Sequence, residues 1–143
     1  MSFNILCVDD DPNILEGYRR LLGRRYNVYL ACGPKQGLEK LDMGPHYAVI
    51  ISDRHMPDMD GIEFLRLASG RFPCSVRIML TGDADQQTAV DAVNRGNIQR
   101  FLSKPCPSKR LEEVVDEAVA LSQQQSRLGL PQELPLQMAQ ALI

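Results

Sequence analysis

Five short apolar segments recur along the chain, and each is followed by a stretch whose apolar residues repeat with helical spacing. The apolar segments are residues 5–8, 28–31, 48–51, 76–80 and 98–102. The first, third and fourth are almost continuously apolar, which is typical of strands covered on both faces. This alternation predicts an α/β fold: a five-stranded parallel sheet, doubly wound, with helices on both faces.

Chemically useful side chains follow the predicted strands at their carboxyl ends, where ligands bind in open parallel sheets. In strand order they are Asp9 and Asp10, Asp53, Thr81, and Lys104. Three carboxylates brought close together repel one another and are costly to bury without a cation. Oxygen ligands of this kind suit a hard divalent ion such as Mg²⁺.

The same set of side chains is suited to holding a phosphoryl group. A metal ion, the Lys104 ammonium and the Thr81 hydroxyl would together surround a single carboxylate. Asp53 ends an apolar run that must be buried, and a nearby cation would make its negative charge tolerable there. We therefore interpret Asp53 as a nucleophile.

Four segments, in this order and spacing, resemble the receiver domains of two-component response regulators. They are ILCVDDD, VIISDRHMPDMDG, IMLTGDAD and RFLSKPC. Each alone is a weak signal, but the combination is highly specific, and the resemblance covers residues 3–122. It implies a flavodoxin-like sheet with strand order 2-1-3-4-5. It also implies phosphoryl transfer from a histidine kinase to an aspartate, followed by slow hydrolysis.

The resemblance assigns roles at the acidic positions. Asp53 matches the phosphoacceptor, and Asp9 and Asp10 match the acidic pair that serves the metal. The implied ion is Mg²⁺, with Mn²⁺ as a substitute. Its protein ligands would be Asp9, Asp10, Asp53 and the backbone carbonyl of His55.

The resemblance also assigns residues to phosphoryl binding and to switching. Thr81 matches the hydroxyl residue that contacts the phosphoryl oxygens, and Lys104 matches the lysine that pairs with them. Phe101 falls at the aromatic switch position. Movement of Thr81 and Phe101 is expected to reshape the surface of the fourth helix, fifth strand and fifth helix, where partners dock. The Lys104–Pro105 peptide bond is expected to be cis.

Two other functions stay open at this point. One is a protein-interaction module that works without phosphorylation. The other is an aspartate-nucleophile phosphatase, which usually carries a second aspartate two residues after the nucleophile, where this chain has His55. A receiver would phosphorylate and slowly dephosphorylate itself, so we expect no separate substrate turnover and no enzyme in the ordinary sense.

Some acidic residues near the strand ends have a simpler interpretation as helix caps. Asp11 precedes a proline at the start of the first amphipathic stretch, and Asp60, followed by Gly61, stands at the start of the third. Asp83 and Asp85 are expected to cap the fourth helix. Short side chains that accept hydrogen bonds are preferred at such positions.

Composition and charge narrow the partners and the location. The formal net charge of −2 argues against coating nucleic acid or an anionic membrane. No apolar run approaches the ~20 residues of a membrane span, and the first residues lack the features of a signal peptide. The four cysteines form no C-x-x-C pair, so we interpret them as buried thiols in a reducing compartment. We expect a cytoplasmic protein.

The expected organisation is a receiver over residues 1–122 and a helical extension or linker over residues 123–143, leading towards a missing output domain. The apolar residues of this tail fit either a partner-binding helix or the start of a second domain. The implied partners are a sensor histidine kinase or phosphotransfer protein and an unknown output domain or partner protein. A homodimer through the last helix is a further expectation; nucleic acid and membrane are not expected partners.

Overall fold

Strands and helices alternate through residues 3–82 and 86–128, the part of the chain that the computed structural model describes. The strands are β1 (Asn4–Asp9), β2 (Asn27–Cys32), β3 (Val49–Asp53), β4 (Val76–Thr81) and β5 (Arg100–Ser103). The helices are α1 (Pro12–Leu22), α2 (Pro34–Met43), α3 (Gly61–Arg71), α4 (Gln86–Gly96) and α5 (Ser108–Leu128). Each strand is followed by a helix, as predicted.

The strands form one parallel sheet in the order β2-β1-β3-β4-β5. The predicted fold class and the flavodoxin-like strand order are both confirmed. Strand β2 lies on one side of β1, and β3, β4 and β5 lie in turn on the other side. The crevice between the carboxyl ends of β1 and β3 is therefore the switch point at which such sheets bind ligands.

The sheet has an apolar core on each face, because successive side chains of a strand point to opposite sides. In β1, Ile5 and Cys7 pack with α1 and α5. Leu6 and Val8 point to the other face and pack with α2, α3 and α4. The central strands β1, β3 and β4 are buried almost throughout. This double coverage explains why their sequences are nearly continuous apolar runs.

Two predicted helix caps are present. The side chains of Asp11 and Asp60 each accept a hydrogen bond from the backbone N–H two residues later, at 2.9 and 2.7 Å, at the starts of α1 and α3. The caps predicted at Asp83 and Asp85 lie outside the described residues.

The fifth strand is shorter than the apolar run that predicts it. β5 begins at Arg100, and Ile98 precedes it as a buried residue of the core on the α2, α3 and α4 face. Asn97 has a φ of 52°, a left-handed conformation that asparagine tolerates better than most residues. This turn after α4 uses residues that the apolar pattern assigns to the strand.

The cysteine interpretation needs a correction. No disulfide joins the four cysteines, all of which lie in the described part of the chain. Only Cys7 is buried, however; Cys32 is exposed, and Cys74 and Cys106 are partly exposed. Cys7 lies inside a central strand, where both faces of the sheet are covered, whereas the others lie at strand ends and in loops.

Helix α5 continues without a break past residue 122, where the predicted receiver segment ends. At that residue the Ser122 hydroxyl donates to the backbone carbonyl of Cys74 at 2.9 Å. Residues 129–143, the remainder of the predicted extension, lie outside the described residues. Among the helices that the structure describes, none has the length and apolar character needed to span a bilayer.

Candidate functional site

Three neighbouring strands end at one edge of the sheet, and their last residues carry the predicted chemistry. β1 ends at Asp9, β3 at Asp53 and β4 at Thr81. In the parallel register Val8 lies beside Ser52, so Asp9 and Asp53 follow at the same level. The register therefore brings together carboxylates that are far apart in sequence.

Asp9, Asp10 and Asp53 form a carboxylate cluster in which one oxygen from each residue lies within 4.8 Å of the others. Asp9 and Asp53 are buried, at 1% and 8% exposure, whereas Asp10 is exposed. A half-buried group of three carboxylates fits a hard divalent cation such as Mg²⁺, which takes oxygen ligands and retains several waters.

Burial raises the pKa of Asp9 above its ordinary value of 3.8, and the charge of Asp53 acts in the same direction. Two contacts oppose this effect: the backbone N–H of Asp11 donates to Asp9 Oδ1 at 2.9 Å, and Lys104 Nζ lies 3.4 Å from Asp9 Oδ2. The remaining rise means that folding disfavours the anionic form of Asp9. A cation bound at the cluster would offset that cost.

Lys104 joins the two buried carboxylates, with its Nζ 2.9 Å from Asp53 Oδ1 and 3.4 Å from Asp9 Oδ2. Burial lowers the pKa of Lys104, but the hydrogen bond to Asp53 and the charge of Asp9 outweigh this, so the pKa lies above 10.5. Lys104 is therefore a fixed cation at neutral pH. Its peptide bond to Pro105 is cis, as the resemblance implies, and its backbone N–H donates to Thr81 O at 2.8 Å.

The two predicted switch residues lie on neighbouring strands. Thr81 is fully buried, and because Leu80 lies beside Asp53, Thr81 comes one residue past the level of the acceptor. Phe101 lies beside Met79 and is half-buried against the core on the α2, α3 and α4 face. Thr81 is thus at the edge that carries the cluster. Phe101 lies two residues before Ser103, the residue of β5 that is beside Thr81. Their roles in switching stay predictions.

His55 lies outside the carboxylate cluster, and its side chain is exposed in the loop that follows β3. The predicted metal ligand is its backbone carbonyl. Because that loop begins directly after Asp53, the carbonyl is near the cluster in sequence, but its role as a metal ligand stays a prediction.

One neighbouring feature has no signal in the sequence. Cys32 at the end of β2 places its Sγ 3.6 Å from the backbone oxygen of Asp10. A cleft of about 380 Å³ opens beside these two residues, lined also by Gly33, Pro34, Leu38 and Met59. It forms between the loops that follow β2 and β3, which only the sheet topology brings together.

The arrangement is suited to nucleophilic attack by Asp53. One of its oxygens is 2.9 Å from the Lys104 ammonium, and the neighbouring carboxylates can hold a divalent cation. Positive charge on two sides of the carboxylate would balance the charge that develops when a phosphoryl group is transferred to it.

Comparison with known proteins agrees with this geometry. The sequence model of the response regulator receiver domain matches residues 5–116. The hydrogenase transcriptional regulatory protein HoxA of Bradyrhizobium diazoefficiens is 32% identical over 117 residues, which are 82% of this chain and 24% of that protein. The chain spans about a quarter of the length of several curated relatives that it matches.

Two solved structures have the same fold at similar identity. The structure described as adenylate cyclase from Rhodopirellula baltica superposes with a TM-score of 0.84 and 31% identity, covering 90% of this chain and 96% of that one. The signal receiver domain of an HD domain-containing protein from Pseudomonas fluorescens gives 0.81 and 32%, covering 87% and 99%. The chain therefore belongs to the response regulator receiver domain family, the signalling modules of phosphorelay signal transduction.

Proposed function

We propose that Asp53 accepts a phosphoryl group from a sensor histidine kinase or a phosphotransfer protein. The observation that carries this proposal is the contact between the Lys104 ammonium and an Asp53 oxygen, at 2.9 Å, within a cluster of three carboxylates. A lone buried cluster of acids would be unfavourable, whereas a cluster built around a metal ion and a lysine is suited to phosphoryl transfer.

The chemical step is an attack by one carboxylate oxygen of Asp53 on phosphorus. A bond forms between that oxygen and phosphorus, while the bond between phosphorus and the donor imidazole nitrogen breaks and its electron pair stays on the imidazole. Lys104 would hold a phosphoryl oxygen and the Thr81 hydroxyl would donate to another. Later attack by water on phosphorus returns the aspartate and releases inorganic phosphate.

The metal ion of this proposal is Mg²⁺, for which Mn²⁺ can substitute. Asp9, Asp10, Asp53 and the backbone carbonyl of His55 would hold it. When bound, the ion supplies positive charge that offsets both the cluster and the transferred group. The raised pKa of Asp9, caused first by burial, supports this assignment because a cation would stabilise its anionic form.

The signal would leave the site through Thr81 and Phe101. Contact between the Thr81 hydroxyl and the phosphoryl group would draw the end of β4 towards Asp53. Phe101, half-buried against the core, could then turn inward and change the surface formed by α4, β5 and α5.

Receiver domains interact with histidine kinases and output domains; which ones this chain meets is part of the proposal. We place the receiver at residues 1–122 and an extension or linker at 123–143 leading to an output domain or partner, with a homodimer formed on phosphorylation. Cytoplasmic location is supported by four cysteines without a disulfide, which suits a reducing compartment. We expect neither turnover of a separate substrate nor binding to nucleic acid.

The test is phosphorylation with acetyl phosphate or a cognate kinase in the presence and absence of Mg²⁺. The wild-type chain should be labelled on Asp53 only with the metal, and Asp53→Asn should not be labelled. Asp42→Asn, which changes an exposed aspartate on α2, is the matched control and should label normally. Labelling that persists in Asp53→Asn would refute the proposal. Steady hydrolysis of small phosphate esters would favour a phosphatase instead.

A further inference from the structure

The loop between β3 and α3, residues 54–60, begins directly after the proposed acceptor and is closed at its base by two contacts. We call it the acceptor loop. The backbone N–H of Gly61 donates to Arg54 O at 2.8 Å. The Arg54 side chain donates through Nε to Asp60 Oδ2 at 3.0 Å. Arg54 is therefore held to Asp60 through side chains and to the first residue of α3 through the backbone.

The ion pair between Arg54 and Asp60 differs from an ordinary surface pair. The Arg54 side chain is only 15% exposed, and its Nη1 is buried without a hydrogen-bond partner. Asp60 is the carboxylate that pairs with this guanidinium among the described residues. A mostly buried cation that loses its counter-charge is strongly unfavourable, so this pair constrains the loop more than an exposed pair would.

Asp60 connects the loop to two further structures. Its Oδ1 accepts a hydrogen bond from Ile62 N at 2.7 Å and caps α3, while its Oδ2 accepts from Arg54. Arg54 in turn donates its backbone N–H to Leu80 O in β4 at 3.1 Å. The Asp60 carboxylate thus connects the start of α3 to Arg54, the residue of the acceptor loop that directly follows Asp53.

The middle of the loop is also confined. Met56 is buried, at 9% exposure, in the core on the α2, α3 and α4 face. Asp58 has a φ of 72°, a left-handed conformation in which few residues other than glycine, asparagine and aspartate are common. The loop is therefore held at its base and in its middle, and His55 lies between Arg54 and the buried Met56.

We propose that Arg54 and Asp60 are positioning residues of the acceptor site. Their ion pair fixes the path of the acceptor loop and so holds the Asp53 carboxylate and the His55 backbone carbonyl at the spacing that a divalent cation requires. This inference rests on the proposed function. It adds two residues that contact neither the metal nor the phosphoryl group and act through the loop.

The test is a double-mutant cycle read out as the Mg²⁺ dissociation constant of the unphosphorylated chain, measured by titration calorimetry. Asp60→Asn keeps an oxygen for the cap on Ile62 N but removes the counter-charge of Arg54. Arg54→Met keeps apolar packing and removes the guanidinium. Each single variant should weaken Mg²⁺ binding by about tenfold, as changes to residues that orient ligands do. The double variant should bind Mg²⁺ no more weakly than the single variant with the larger loss, because both substitutions remove the same contact.

The neighbouring pair Arg66 and Glu63 provides the matched control. Arg66 Nη2 lies 2.6 Å from Glu63 Oε1 on the same helix α3, but both side chains are well exposed, and the hydrogen bonds of the Arg66 guanidinium in the described part of the chain go to Glu63. Arg66→Met and Glu63→Gln should leave the Mg²⁺ dissociation constant within twofold of the wild-type value. Arg54→Lys, which keeps the charge without the Nε–H geometry, should recover part of the affinity lost in Arg54→Met.

Three results would overturn the inference: single variants that bind Mg²⁺ as the wild-type chain does, losses that add in the double variant, or equal losses in the control pair. If Arg54→Met does not fold, Asp60→Asn decides alone, since it retains the cap. Failure of the proposed function has a different signature, because wild-type Asp53 would then not be labelled. A wild-type chain that labels, together with unchanged Mg²⁺ affinity in the variants, rejects only the positioning role.

Discussion

The Nε of Arg77 donates to the backbone carbonyl of Asn97 at 2.9 Å, although Arg77 is fully buried in β4. Its Nη1 donates to Ser75 O at 2.9 Å and to Phe72 O at 3.3 Å. Phe72 is the C-cap of α3 and Asn97 directly follows α4, so the guanidinium lies between the carboxyl ends of two helices. Helix carboxyl ends carry partial negative charge, which helps to explain how this charge is tolerated in the core.

Arg77→Met should destabilise the chain by about 1–3 kcal/mol, because the carbonyls of Ser75 and Asn97 would lose the guanidinium donor. The Phe72 carbonyl would keep the donors of Ser75, its backbone N–H and its hydroxyl. Denaturant unfolding of the wild type and variant measures this difference. Arg110→Met, at an exposed position on α5, should change the free energy of unfolding by no more than about 0.5 kcal/mol. Equal stability of Arg77→Met and the wild type would mean that the guanidinium contributes nothing net.

Arg77 also marks the limit of what the sequence predicts. The run 76–80 predicts β4 correctly because its residues other than Arg77 are apolar, but it gives no sign that this arginine is buried. That burial depends on carbonyls supplied by the ends of α3 and α4, from two separate parts of the chain. Periodicity in a sequence reports which face is apolar, and it does not report which backbone oxygens converge on one position.

The carboxylate cluster was easier to predict because it requires only strand ends. Once β1 and β3 are known to be parallel neighbours, Asp9 and Asp53 must lie at the same edge. The contact between Arg54 and Asp60 was missed for the opposite reason. It depends on the path of a loop, including the left-handed conformation at Asp58, which no pattern in the sequence shows.

Lys104→Gln should have opposite effects on stability and metal binding. In the absence of Mg²⁺ the variant loses the ammonium that contacts Asp53 and Asp9, so the chain should melt at a lower temperature. Mg²⁺ should bind more tightly at low ionic strength, because a competing positive charge has been removed from the cluster. Thermal melts and calorimetric titrations measure both effects, each with and without about 1 M salt, at which the Debye length is only about 3 Å. Weaker Mg²⁺ binding in the variant would contradict this expectation.

Asp9→Asn should raise the melting temperature of the metal-free chain at neutral pH. The pKa of Asp9 is raised in the folded state, first by burial, so folding favours its protonated form. This contribution to stability is fully present below the unfolded value of 3.8 and is lost as the pH rises through the folded pKa. The amide variant, which cannot ionise, should lack that part of the pH dependence.

Added Mg²⁺ provides the second half of the Asp9 test. The metal should stabilise the wild-type chain at neutral pH, because it offsets the charge of Asp9, and should stabilise Asp9→Asn much less. Melting curves of the two chains are compared with and without the metal, from about pH 4, close to the unfolded pKa, to about pH 8. A variant that melts below the wild type in metal-free buffer would show that the contacts of Asp9 outweigh its burial.

Gly61 and Gly70 give opposite predictions for the same substitution in the same helix. A Cβ added at Gly61 would lie 2.1 Å from the backbone oxygen of Asp53, whereas nothing lies within 4 Å of a Cβ at Gly70. Gly61→Ala must push α3 away from the end of β3, and we expect it to destabilise the chain by about 1–3 kcal/mol. Gly70→Ala should stabilise it by about 0.5–1 kcal/mol, because alanine has the higher helix propensity.

The same pair separates stability from the acceptor site. Because the clash at Gly61 falls on the backbone of Asp53, Gly61→Ala should also slow labelling of Asp53 by acetyl phosphate under conditions in which the variant remains folded. Gly70→Ala should label at the wild-type rate. Urea unfolding and labelling time courses on both variants measure the two effects. Wild-type labelling by a folded Gly61→Ala chain would mean that β3 and α3 can separate without moving the acceptor carboxylate.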